Sequence, residues 1–373
     1  MRLRCPFRQT EGMSDLHAAP AGLTFRPPRL PDDLGGMAAA MTAAAPRFPV
    51  TPELVLDWHR TNDPDLQLAE RVAEIGGEVI GLGRIIQQNA TEQRESYWVN
   101  MWVAEPWQRR GVGRALLAEL EGEARRLGGR HLRVQVRQDV PGALALADSG
   151  GYRRTWTRYE SALKVSPERD FSGFDPLLGR LEAEGIVFRS VAELSTDPER
   201  NRRLWDLNWR LMADVPLGMT LTRHPLDVWV RRDIENSSFC PELSFVALDP
   251  ALDSLPPDEQ APHGPLTGPY IGMSSLNVQP GGFYTIGMTG TLPAYRGRGI
   301  AKALKVRAMR ALQERARHDA EGGTGSATIR TFNDPPNVAM LGMNAALGFV
   351  RGPDIYRYER ELPPETGSAQ ENA

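Results

Sequence analysis

Two short stretches of this 373-residue sequence combine glycine with basic residues at a spacing suited to anion binding. They are Gln108, Arg109, Arg110, Gly111, Val112, Gly113, Arg114 and, later, Arg296, Gly297, Arg298, Gly299, Ile300, Ala301, Lys302. Each follows a strand-like run (SYWVNMWVA, FYTIGMTGT) and precedes a long apolar helix pattern, so each lies at a strand-to-helix junction. The first amide hydrogens of a helix lack intrahelical acceptors, and the helix dipole adds positive potential there. A phosphate satisfies both, glycine removes the Cβ that would hold it away, and the arginines and lysine add charge. Neither turn reads G-x-G-x-x-G within an all-parallel βαβ pattern, and no G-x-x-x-x-G-K-[ST] occurs, so dinucleotide and nucleoside-triphosphatase folds lack support.

The elements around these turns repeat. LTFRP, the weak helix PDDLGGMAAAMTAAA, the Thr51-capped helix TPELVLDWHR and the hairpin LAERVAEI/EVIGLGRIIQQ lead into the first central strand. After the first turn come a helix, HLRVQVR, the short helix PGALALADS and a closing pair of strands in YRRTWTRYESALKV. EGIVFRS restates the first strand, NRRLWDLNWRLMADVP is an amphipathic helix, and LSFVALD with PYIGMSSLNV flanks a loop from about Pro250 to Gly268 expected to be mobile. SATIRTF, NVAMLGMNAALGF and DIYRYEREL repeat the strand, helix and strand ending. The two turns align at an offset of 188 residues, and Gly151-Tyr152 aligns with Gly348-Phe349 at 197, which puts nine extra residues of the second copy in HDAEGGTGSA. The pattern predicts two tandem α/β domains, each a mixed central sheet flanked by helices. The expected divisions are a disordered tail over 1–21, a first domain over 22–164, a linker over 165–183, a second domain over 184–363 and a polar tail over 364–373.

Composition narrows the function classes. Lys plus Arg total 44 and Asp plus Glu 47, a net charge of -3 that argues against a chain built around nucleic acid or anionic membrane. Cys5 and Cys240 cannot make a disulfide framework or, alone, a structural zinc site, so no metal is expected and a reducing cytoplasm fits. The basic start has no apolar run of signal-sequence length, no window spans a membrane, and Met13 is an alternative start.

With its turns, element order and Gly-aromatic endings, the sequence resembles the GCN5-related N-acetyltransferase (GNAT) superfamily over about 22–163 and 184–362, in a tandem form similar to mycothiol synthase-like proteins. The resemblance implies acetyl-CoA, or another acyl-CoA, with its pyrophosphate on the two turns and its pantetheine beside the central strands. Met101, Trp102 and Val103, or Thr289, Gly290 and Thr291, would supply those backbone contacts. In the family the helix before the Gly-aromatic pair carries an Asn and, seven residues later, a Tyr that protonates the leaving thiolate. Here those positions are Asn337 and Asn344 in the second copy and Val140 and Ala147 in the first. The resemblance therefore places activity in the second copy and reads the first as degenerate.

Asn333 joins Asn337 and Asn344 as a candidate for holding the cofactor or its carbonyl, although an amide cannot replace a phenol as acid. Tyr356 and Tyr358 on the last strand are the candidate proton donors, and Glu242 or Glu105 the candidate carboxylate near the acceptor. Trp102, Trp107, Tyr152, Trp156, Trp205, Trp209 and Tyr284 are candidates to line the clefts. The implied function is N-acyl transfer, most simply of acetyl, to an amine of a small molecule or peptide by direct attack in a ternary complex. The alternative is a nonenzymatic CoA-binding or structural tandem protein. A monomer or homodimer without nucleic-acid or membrane partners is expected.

Overall fold

The computed structural model describes residues 18–89, 93–216, 221–254, 268–318 and 325–363. Most of the expected loop before Gly268, much of the HDAEGGTGSA stretch, residues 1–17 and the polar tail lie outside the described residues. The first half runs β1 (Thr24–Arg26), α1 (Leu34–Ala44), α2 (Pro52–Arg60), β2 (Leu68–Ile75), β3 (Glu78–Gln87), β4 (Ser96–Val103), α3 (Val112–Arg126), β5 (His131–Arg137), α4 (Pro141–Ser149) and β6 (Arg153–Val165). The second runs α5 (Asp175–Ala183), β7 (Val187–Ser190), α6 (Arg200–Ala213), α7 (Leu226–Trp229), β8 (Phe245–Leu248), β9 (Tyr270–Gln279), β10 (Phe283–Thr291), α8 (Ile300–His318), β11 (Ala327–Asn333), α9 (Val338–Ala346) and β12 (Val350–Glu361).

Local chemistry accounts for these elements. Thr51 caps α2 through Oγ1, which accepts from the Leu54 amide at 3.3 Å, with Pro52 at the first helical position. α3 buries Leu116, Leu120 and Ala124 and α8 buries Ile300, Leu304, Ala308 and Leu312, one residue per turn on a single face. Gly151 and Gly348 take positive φ just past α4 and α9, a turn that sends Tyr152 and Phe349 back into the core.

Each half is a mixed α/β sheet flanked by helices, and the two sheets are joined. Among the described residues twelve strands form one sheet in the order β1-β2-β3-β4-β5-β12-β6-β11-β10-β9-β8-β7. The first half does not end in the expected closing pair of strands: each half ends in one long strand that crosses to the other half. β12 pairs antiparallel with β5 from Ile355↔Arg137 to Glu361↔His131, while β6 pairs antiparallel with β11 from Tyr159↔Asn333 to Val165↔Ala327. Between them, β6 and β12 pair with each other. The exchange satisfies the edges that β5 and β11 would otherwise expose. It also moves apolar surface: Leu163 and Val165 of β6 enter the second half's core, and Tyr358 and Leu362 enter the first half's. Full burial of such side chains stabilises by about 1.5–3 kcal/mol each.

The segment expected as a linker contains α5, which is docked on α8. Leu178 and Leu181 are buried in the second core, and Arg310 of α8 donates to Asp175 at 2.5 Å and to the Phe171 carbonyl at 2.7 Å.

Candidate active site

In each half the two central parallel strands separate at one end. β4 and β5 pair from Ser96↔His131 to Val99↔Val134 and then diverge, although β4 stays paired with β3 up to Val103. Beyond this fork lies a cavity of about 180 Å³ lined by Asn100, Met101, Trp102, Leu117, Val136 and Ala147, among others. In the second half β10 and β11 pair from Phe283↔Thr328 to Thr285↔Arg330, and a bulge between Ile286 and Thr289 turns the rest of β10 away. Thr289, Gly290 and Thr291 continue past that fork as Met101, Trp102 and Val103 do past the first.

The two anion turns share an internal bond. Gln108 Nε2 donates to the Val103 carbonyl at 2.8 Å, and Arg296 Nε donates to the Thr291 carbonyl at 3.4 Å, 188 residues on at both ends. Gly111 (φ +80°) and Gly299 (φ +89°) take the left-handed conformation just before α3 and α8, and Gly297 (φ +77°) and Arg109 (φ +59°) do so within the turns. The first-turn amides of Val112, Gly113 and Arg114 and of Ile300, Ala301 and Lys302 are the groups available to an anion.

The glycines also have a packing role. A Cβ at Gly299 would lie 2.8 Å from Leu177 Cδ1 on α5, and one at Gly111 would lie 3.0 Å from the Ala18 carbonyl oxygen. Both therefore permit close packing by the segment that precedes each half. Gly113 faces Leu146 of α4. The basic residues differ too: Arg109, Arg110 and Arg114 are exposed, with Arg110 over the Trp107 ring, whereas Arg298 pairs with Glu184 at 2.7 Å and Arg296 pairs with Asp214.

Behind the second fork lies a buried polar cluster. Asn344 Nδ2 donates to Asn333 Oδ1 at 2.8 Å, and Asn344 Oδ1 accepts from Lys305 Nζ at 2.6 Å. Asn337 caps α9, accepting from the Met340 amide at 3.3 Å. The remaining predicted groups do not join this cluster. Tyr356 and Tyr358 sit on β12 against the first half's core; burial raises the Tyr358 phenol above its usual range, with Asp148 adding to the shift, and Arg154 lies 3.4 Å from the Tyr356 ring centroid. The strand exchange is the reason. It gives the second half Tyr159 instead, paired in register with Asn333 and stacked under Arg351. Glu242 is exposed in the turn before β8, beside Cys240 and Arg315, and so stands toward the C-terminal end of α8, away from the turn at its start. Glu105 is exposed ahead of α3, and the Cys240 thiol is buried, which raises its pKa.

Between the halves lie two adjoining cavities of about 600 and 430 Å³ that share Trp58, Thr61, Asn208, Met212, Trp229, Arg232 and Asp233. The larger reaches Asn100 and Trp102 at the first fork, and the smaller reaches Gly287 and Met288 in the bulge of the second. Six of the eight tryptophans line the larger one, so its walls are broad and apolar with polar groups set among them. Of the aromatics predicted to line clefts, Trp102, Trp205 and Trp209 are there. Tyr152 is buried with its hydroxyl at Glu121, Trp156 donates to Asp334, Trp107 lies beneath Arg110, and Tyr284 is in the second core.

Three groups in these cavities escaped the sequence reading. His224 Nδ1 donates to Asp63 Oδ2 at 2.5 Å while its Nε2 accepts from Asn89 at 2.8 Å, a pairing that joins the halves. Burial, and then Arg232, hold its pKa below the usual range against the pull of Asp63, so the neutral ring is favoured. Asp233 lies in a single π-helical turn after α7, exposed to solvent through the two cavities it lines; desolvation by the cavity walls raises its pKa, with Arg232 opposing. Trp229 Nε1 is buried and has no hydrogen-bond partner among the described residues.

Matches to known proteins fit this geometry. The acetyltransferase (GNAT) family profile matches residues 38–152 and 232–349, once in each half. The chain belongs to the GNAT family. It is 28% identical to a mycothiol acetyltransferase of Kineococcus radiotolerans over 344 residues, 91% of this chain and 97% of the relative. A mycothiol acetyltransferase of Frankia casuarinae is also 28% identical, over 68% of this chain and 65% of its own length. Among solved structures, a tandem GNAT protein from the clavulanic acid biosynthesis pathway superposes with a TM-score of 0.63 at 21% identity, covering 92% of this chain and 99% of that one. A GCN5-related N-acetyltransferase from Sphaerobacter thermophilus gives 0.58 at 18% identity, covering 93% and 98%. The fold is thus that of a tandem GNAT acetyltransferase. No helix among the described residues is long and apolar enough to cross a membrane, and no group of three metal-ligating side chains occurs among them.

Proposed function

We propose that this GNAT protein transfers an acyl group, most simply acetyl, from acyl-CoA to an amine of a small molecule or peptide in a ternary complex. The observation that carries the reading is the tryptophan-walled space between the halves, which reaches the second fork at Gly287 and Met288. Acetyl-CoA supplies an activated thioester when bound. The fork and turn suit it: the first-turn amides of Ile300, Ala301 and Lys302 lack intrahelical acceptors and can receive an anion, and β10 past Thr285 has backbone free of β11 for the pantetheine chain. Asn344 and Asn333 sit behind that fork to hold the carbonyl end.

An attacking amine must be neutral, so a base has to take its proton. Asp233 lies in the wall common to both cavities, where its carboxylate can accept that proton, and desolvation raises its pKa. Trp229 Nε1 offers a donor to an acceptor-bearing substrate, since a buried polar group without a partner is uncommon in a native structure. Aminoglycosides, polyamines, amino-acid derivatives and peptide termini are the acceptor classes to try, with mycothiol-related amines first because the relatives are named mycothiol acetyltransferases. The test is thiol release from acetyl-CoA with each amine, with the acetylated product identified by mass spectrometry. Acceptor-dependent release is expected; tight acetyl-CoA binding without acetylation of any amine would leave the nonenzymatic reading.

A further inference from the structure

The second fork carries a lysine where the first carries a leucine. At the repeat offsets of 188 and 197 residues, Lys305, Asn333 and Asn344 correspond to Leu117, Val136 and Ala147. All three first-half residues line the fork cavity. The repeat therefore puts a buried ammonium and two amides at the place where the first half is apolar.

Lys305 is 1% exposed, and among the described residues Asn344 Oδ1 is its one hydrogen-bond acceptor, although an ammonium has three hydrogens to donate. The Phe349 ring lies 5.5 Å away on another side. β8, β9, β10 and α9, which surround this part of α8, contain no Asp, Glu, Lys or Arg. Arg330 of β11 donates to the Arg47 carbonyl, Glu160 of β6 pairs with Arg137, Lys164 is exposed, and on α5 Glu182 and Asp175 pair with Arg307 and Arg310. A buried cation without an acid is costly, and the leucine of the first half shows that the fold accepts an apolar side chain at this position.

We infer that Lys305 is the acid of the second fork, giving its proton to the departing thiolate, and that Asn344 is a positioning residue that holds Nζ in line. The inference rests on the acyl-CoA reading above. The amine nitrogen bonds to the acyl carbon, the C–S bond breaks with its electron pair going to sulfur, and an N–H proton of Lys305 forms S–H. Neutral Lys305 then regains the proton that the acceptor amine releases. Asn344 stands where the family resemblance expects a phenol and has no acidic proton of its own. Burial pulls the Lys305 ammonium down to about 7, where it loses and regains a proton near neutrality.

The test is thiolate absorbance during pH titration of CoA bound to the full chain and to K305L. In the wild-type complex the thiol should ionise at least about one unit below the ordinary thiol value of roughly 8.5. In K305L it should return to that value or above, with turnover lower by about 100-fold and acetyl-CoA affinity changed by less than about threefold. Should K305L not fold, wild type is compared with CoA and desulfo-CoA near pH 8, where at least a tenfold preference for CoA is expected. Matching titrations in the two proteins, or equal affinity for CoA and desulfo-CoA, would overturn the role of Lys305. Failure of the wild-type protein to bind CoA at all would instead overturn the acyl-CoA reading and this inference with it, and loss of binding in K305L alone would overturn the role of Lys305 as an acid that leaves affinity intact.

Discussion

The two forks share backbone and differ in what fills them. In the first, Leu117, Val136 and Ala147 line the fork cavity next to a turn whose arginines are exposed. In the second, Lys305, Asn333 and Asn344 form a hydrogen-bonded cluster next to a turn whose arginines already pair with Glu184 and Asp214. One scaffold thus carries two arrangements: the first half has a turn with exposed arginines and apolar residues at its fork, while the second has polar groups at its fork and turn arginines paired within the chain. Duplication allows this division, since a fold specifies positions and leaves their chemistry to the side chains.

Converting the second fork into the first should have the largest effect. The triple variant K305L/N333V/N344A installs the first half's residues. Because the Lys305 pKa is lowered on folding, the unfolded chain binds the proton more tightly between about pH 7 and 10.4, so wild-type stability should rise with pH across that window and be lowest below it. Removing the lysine should flatten this dependence and stabilise the protein at pH 6 by up to roughly 4 kcal/mol, while acyl transfer falls to background. Denaturant unfolding at pH 6 and 9, with turnover alongside, checks both; an unchanged pH slope would mean that Lys305 is not a buried ammonium.

The next comparison concerns the acceptor side, where Asp233 has no counterpart in the first half's repeat. With the carboxyl pKa raised by desolvation, activity should fall as pH drops through that raised value. Asp233→Asn should lower kcat by about 100-fold and erase this acidic limb. A pH-rate profile that keeps the limb in the variant would move the base elsewhere, with His224 the first alternative.

Mirror-image glycine variants probe the turns. Gly299→Val puts a side chain at φ +89° against Leu177, and Gly111→Val does the same at φ +80° against the Ala18 carbonyl. Left-handed backbone costs a branched residue about 1–2 kcal/mol, so each should weaken its own turn by roughly tenfold. Calorimetric stoichiometry and turnover separate the halves: Gly299→Val should impair both binding and activity, and Gly111→Val only a second binding event. Equal loss of turnover in the two would assign activity to both halves.

The smallest effect lies in the caps. Asn337 caps α9, whereas Val140 at the start of α4 makes no such bond. Asn337→Ala should cost about 1 kcal/mol and Val140→Asn should gain a similar amount, read as opposite shifts in Tm.

These contrasts were unequally legible in the sequence. The turns, the Thr51 cap and the Gly-aromatic endings depend on neighbouring residues, and the sequence reading located them. The crossing of β6 and β12 could not be read, because YRRTWTRYESALKV and DIYRYEREL have the same pattern whichever half they pair with, and the choice depends on partners far along the chain. That omission carried Tyr356 and Tyr358 to the wrong fork and hid Tyr159. Lys305 looks like one polar residue among several on a helix, yet aligning it with Leu117 would have exposed a lysine at a core position. Asp233 and His224 lie in a stretch with no repeated motif, so only the folded halves bring them to the cavity.

The crossing of the last strands sets a schedule for synthesis. The edge of β5 is complete at Arg137, but the strand that covers it begins at Val350, more than two hundred residues later. At about 5–20 residues per second, the ribosome leaves that edge open for roughly 10–40 s. During this interval the nascent first half presents an unpaired strand and an uncovered apolar face, an edge open to pairing with other chains until the last strand emerges.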